Sequence, residues 1–98
     1  MLIKLGVDIS RLNNQIRRSL NKIDTVFNNC GFESVITSTY EGSHSPSSLH
    51  YTNNAIDIRT PSANVDKVIN NLRSRLGSDF DIVLEPTHIH IEYDPVDN

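Results

Sequence analysis

The segment from His88 to Tyr93 alternates without a break. Ile89, Ile91 and Tyr93 fall on one side of it, and His88, His90 and Glu92 on the other. A period of two is the strand signature, because successive side chains point to opposite faces. With one side apolar and the other ionisable, the strand fits a sheet that is covered on one face and open on the other. Ala55 to Arg59 repeats the pattern, with Ile56 and Ile58 against Asp57 and Arg59. Phe80, Ile82 and Leu84 also alternate, and Ser34 to Ser38 holds the short strand signal Val35-Ile36-Thr37.

Two further stretches have helical spacing. Leu12, Ile16, Leu20, Ile23 and Phe27 recur every three or four residues, with Asp8 or Ser10 as the cap and Gly31 as the stop. Val65, Val68, Ile69, Leu72 and Leu76 form a second stripe. Thr60-Pro61 reads as its start, since proline suits a first helical position, and Gly77 as its end. Residues 40 to 53 are rich in Ser, Gly, Pro, Asn and His and read as one long loop of the kind that often holds function. The order predicts an α+β chain, a small antiparallel sheet with helices packed on one face.

At 98 residues the chain makes a single domain, residues 1–98, with a thin core. Its net charge is -3 and its nine cationic residues are scattered, so no basic face is offered to nucleic acid. The one cysteine, Cys30, excludes an internal disulfide and reads as a small buried hydrophobe. No apolar run approaches the roughly 18 residues of a membrane span, and the apolar region at the start is too short for a signal peptide. The expectation is a monomer made in the cytoplasm.

The open face of the sheet holds the unusual residues. Asp57 follows His50 by seven positions and lies on the polar side of its strand, as does His88 on its own. If those strands are neighbours, two imidazoles and one carboxylate converge. Two nitrogens, one oxygen and a place left for water is a catalytic zinc donor set, whereas calcium and magnesium prefer oxygen alone. Glu85, three residues before His88, is a candidate base, and Pro86 between them excludes a helical two-histidine motif. Taken singly, each of these residues reads by default as a solvated surface group, and it is their combination that points to a metal site.

Two motifs resemble the zinc D-Ala-D-Ala metallopeptidases, which share a fold with the hedgehog signalling domain. The first family motif is Ser-x-His-x-x-Gly-x-Ala-x-Asp. Ser48-Leu-His50-Tyr-Thr-Asn53-Asn-Ala55-Ile-Asp57 matches it with Asn53 in place of glycine. Asparagine tolerates a left-handed backbone, so the turn is expected to survive. The second motif is Glu-x-x-His, matched by Glu85-Pro86-Thr87-His88 and the strand that follows. The length and the wording around His44 to Tyr51 are most similar to compact phage and prophage members. The resemblance covers about residues 34 to 94.

The resemblance implies zinc (Zn2+) bound by His50, Asp57 and His88, with Glu85 as the catalytic base. It implies hydrolysis of peptide bonds in peptidoglycan stem peptides, as a D,D-carboxypeptidase or an endopeptidase. A phage lysis enzyme that reaches the cell wall after release fits this reading. Some relatives bind metal through the second histidine of a His-x-His pair; Thr87, three before His90, is no base, so His88 is taken as the ligand. His90, Ser48 and His44 remain to orient a metal ligand or to bind substrate. Many members also have an arginine after the strand that ends here near Tyr40, where this chain has Glu41. That departure leaves open an alternative, a non-catalytic zinc-binding module on the same fold.

Overall fold

The computed structural model describes residues 1–40 and 53–95. Its elements run β1 (Leu2–Ile3), α1 (Asn14–Asn29), β2 (Val35–Ser38), β3 (Ala55–Arg59), α2 (Val65–Leu76), β4 (Phe80–Leu84) and β5 (His88–Tyr93). The five strands form one sheet in the order β1-β2-β3-β5-β4. The α+β class is as read from the sequence, but the sheet is mixed and not purely antiparallel, because β1 runs parallel to β2. A two-residue strand shows no periodicity to read, and both of its residues are exposed.

One face of the sheet holds the core. Ile36, Ile56, Ile58, Ile82, Ile89 and Ile91 meet Ile16, Ile23 and Phe27 of α1 and Val68, Leu72 and Leu76 of α2. Each large side chain so buried contributes about 1.5–3 kcal/mol relative to an exposed one. Cys30 packs at the edge of this cluster, with the Asn71 amide donating to its sulfur over 3.7 Å. Among the described residues no helix is long and apolar enough to cross a membrane.

Both helix starts differ from the sequence expectation. Asn13, not Asp8 or Ser10, occupies the cap position of α1, and its side chain makes no capping hydrogen bond. The Asp8 carboxylate instead accepts the Ser10 amide at 2.8 Å, closing a local turn upstream of the helix. α2 begins at Val65, after Asn64 in the left-handed region at φ 56°, and not at Thr60-Pro61. The helix starts where its apolar stripe starts, since burial of that stripe provides most of its stability. Gly77 ends α2 with a φ of 85°, a conformation that costs an L side chain dearly.

Candidate metal centre

Asp57 sits mid-way along β3, and β3 pairs antiparallel with β5 so that Asp57 faces His90 and Arg59 faces His88. Directly paired residues share a face. The apolar alternates on both strands point into the core, which leaves Asp57, His88 and His90 on the open face. Asp57 is nevertheless only 6% exposed.

Its Oδ1 lies 3.1 Å from Nδ1 of His90 and 3.5 Å from Nε2 of His88. A carboxylate accepts, so Nδ1 is the protonated nitrogen of His90 in this arrangement. The other nitrogen of each ring also has a neighbour. Nδ1 of His88 is 3.0 Å from the Thr87 hydroxyl, and Nε2 of His90 is 3.5 Å from Oε1 of Glu92. The hydrogen bond to Asp57 raises the pKa of His90 above the usual histidine value. Burial opposes that shift, and the charges of Asp57, Glu92 and Glu85 assist it.

Glu85 closes the hairpin between β4 and β5. Its amide donates to the carbonyl of His88 at 2.9 Å across a turn of Pro86 and Thr87. The ladder pairs Val83 with His90 and Leu84 with Ile89, so Glu85 continues opposite His88. Among the described residues its carboxylate has no hydrogen bond or ion pair. It does add to the field that favours a charged His90.

The structure therefore brings Asp57, His88 and His90 together, with Glu85 at the adjoining turn. His44, Ser48 and His50 lie outside the described residues. Among the described residues, no three His, Cys, Asp or Glu side chains converge tightly enough to hold a metal. The donors that do meet, a carboxylate oxygen and two imidazole nitrogens, fit zinc in kind. The Thr87 hydroxyl on the remote nitrogen of His88 is the kind of hydrogen-bond partner a metal-ligating histidine needs to fix its tautomer and orientation. Sequence reasoning gave no role to Thr87 or Glu92. Their signal was position alone, one residue before the first histidine and two after the second.

Asn53 leads into β3 at φ 63°, the left-handed turn expected when asparagine replaces glycine. Its carbonyl accepts the Asn13 amide at 3.0 Å, and the Asn13 side chain donates to Oδ1 of Asn54 at 2.7 Å. Compared with family models, curated proteins and solved structures, the chain matches none of them.

Proposed function

We propose that the chain is a zinc-dependent peptidase that hydrolyses peptide bonds of the bacterial cell wall. The observation that supports this most is the buried Asp57 carboxylate with two imidazole nitrogens within 3.5 Å, on a sheet face the helices leave open. Asp57 and His88 would hold the metal, completed by His50, as the motif resemblance implies. Bound zinc would supply Lewis-acid polarisation of the scissile carbonyl. Glu85 takes a proton from the attacking water on a carboxylate oxygen and delivers it to the nitrogen of the departing amine, as the carbon–nitrogen bond breaks. His90, hydrogen-bonded to Asp57, holds that carboxylate in its orientation.

A second assignment exchanges the histidines. His90 is directly opposite Asp57 and is 17% exposed, against 30% for His88, so His90 also suits a ligand position. Zinc titrations of His88→Ala and His90→Ala decide between them, because loss of a ligand costs far more affinity than loss of an orienting partner, which costs about 10–100-fold.

The activity is tested by incubating zinc-loaded protein with purified peptidoglycan and identifying new amino and carboxyl termini. Glu85→Gln is expected to keep zinc and fold while turnover falls by at least about 100-fold, the usual scale for losing a general base. No release of termini by the wild-type chain, or full activity in Glu85→Gln, would overturn the proposal.

A further inference from the structure

The end of the sheet where β2 stops and β3 begins holds an arginine that the catalytic reading does not use. Arg11 lies with its guanidinium carbon 4.5 Å from the centroid of the Tyr40 ring. Among the described residues that guanidinium has no hydrogen bond and no ion pair. Arg11 is exposed, and apart from the charge of Asp8 nearby no described group engages its N–H edge, which can receive a carboxylate in a bidentate fork.

The support under Arg11 is polar and well connected. The Tyr40 hydroxyl donates to Oδ2 of Asp8 at 3.0 Å, and the Thr39 hydroxyl donates to the Asp8 carbonyl at 2.8 Å. Oδ1 of Asp8 is occupied by the Ser10 amide. Arg17 donates to the carbonyls of Ile9, Ser10 and Leu12 at 3.0–3.3 Å, which holds the bend that presents Arg11. The Asn13 contacts to Asn53 and Asn54 tie the same bend to the start of β3.

Arg11 is also within reach of the candidate centre. Ser38 is the β2 partner of Asp57, and Tyr40 is two residues further along. Two residues span at most about 7 Å of strand and neighbouring strands are about 4.8 Å apart. The Tyr40 backbone thus stands at most about 8 Å from that of Asp57, the length of two or three residues of extended peptide. Arg11 stands beside Tyr40, and Asn13, two residues on, donates its amide to the Asn53 carbonyl at the start of β3.

We propose that Arg11, stacked on Tyr40, binds a carboxylate of the peptide substrate one or two residues from the bond that is cut. This rests on the peptidase reading above. Cell-wall peptides offer such a group in two forms, a free C-terminus or the free α-carboxylate of a γ-linked glutamate. The shared chemistry is a carboxylate on a short peptide.

The test uses zinc-loaded full-length Glu85→Gln protein, so that peptides survive titration, with the Arg11 side-chain N–H followed by NMR. The probes are acetyl-D-Ala-D-Ala against its C-terminal amide, and acetyl-L-Ala-γ-D-Glu-L-Lys amide against its isoglutamine form. At least one acid is expected to bind roughly tenfold tighter than its amide and to shift the Arg11 resonance, the scale of a charge-assisted hydrogen bond. The pair that shows the difference identifies the source of the carboxylate. Arg11→Ala should abolish the acid–amide difference and Arg11→Lys should restore part of it, with circular dichroism confirming the fold. Equal binding of acid and amide in both pairs, no binding of any probe, or an acid preference that survives Arg11→Ala would overturn the inference. Acid-selective binding lost in Arg11→Ala, with no hydrolysis by the wild-type chain, would instead uphold the Arg11 site and overturn the peptidase reading.

Discussion

Asp8 accepts from both the amide and the hydroxyl of Ser10 and from the Tyr40 hydroxyl, and these bonds hold its carboxyl below the usual aspartate range. The sign of the linked stability follows. An unfolded chain protonates Asp8 near pH 4, whereas the folded chain resists until lower pH. The contribution is therefore complete above the unfolded pKa and is lost as pH falls through the depressed folded one. Thermal melts from pH 6 to pH 2.5 should show a steeper acid decline in the wild-type chain than in Asp8→Asn. Parallel declines in the two proteins would show that Asp8 is not linked to folding. The same substitution loosens the support of Tyr40, so its effects on the fold and on Arg11 belong to one cluster of bonds.

At the scale of the elements, a single turn sets how β3 is entered. Asn53 at φ 63° is tolerable for asparagine and free of strain for glycine. Asn53→Gly should leave urea-denaturation stability within about 0.5 kcal/mol, while a β-branched Asn53→Val should lose about 1–2 kcal/mol, the cost of the left-handed region for an L residue. A harmless valine would mean the turn relaxes to another shape. Periodicity made α1, α2 and β3 to β5 legible in the sequence, because each has an apolar stripe that needs a partner, and β2 was legible from its β-branched run Val35-Ile36-Thr37. β1 was not legible, having two exposed residues and no stripe. The helix starts were misread because capping residues are common, yet neither helix here takes a side-chain cap, and Asn13 at the start of α1 donates its side-chain amide to Asn54. Asp8 is used by Tyr40 and Ser10. For the candidate centre, the alternation of β3 and β5 was enough to put Asp57, His88 and His90 on one face. Register was not readable, and register is what sets His90 opposite Asp57.

For the molecule as a whole, a thin core makes ligand binding a large part of the stability. Zinc held at 100 times its dissociation constant would add about 2.7 kcal/mol, and a domain of this size gains about 4–8 °C for each kcal/mol. Saturating zinc should therefore raise the midpoint of calorimetric unfolding by roughly 10–20 °C, and a chelator should reverse it. An unchanged midpoint across that range would count against a specific metal site.

The pairing of β3 with β5 has a consequence in time. Asp57 and His90 are 33 residues apart in the chain, with all of α2 and β4 between them. Contacts across such separations form late, since the intervening chain must be ordered before the closure is rewarded. The donors therefore meet only when the central strands zip together, in the same event that seals Ile56, Ile58, Ile89 and Ile91 from water. A nascent or half-folded chain has these side chains but not their arrangement. Were zinc held there as proposed, its capture would mark maturation, and a stopped-flow trace of zinc uptake would report the closing step of folding itself.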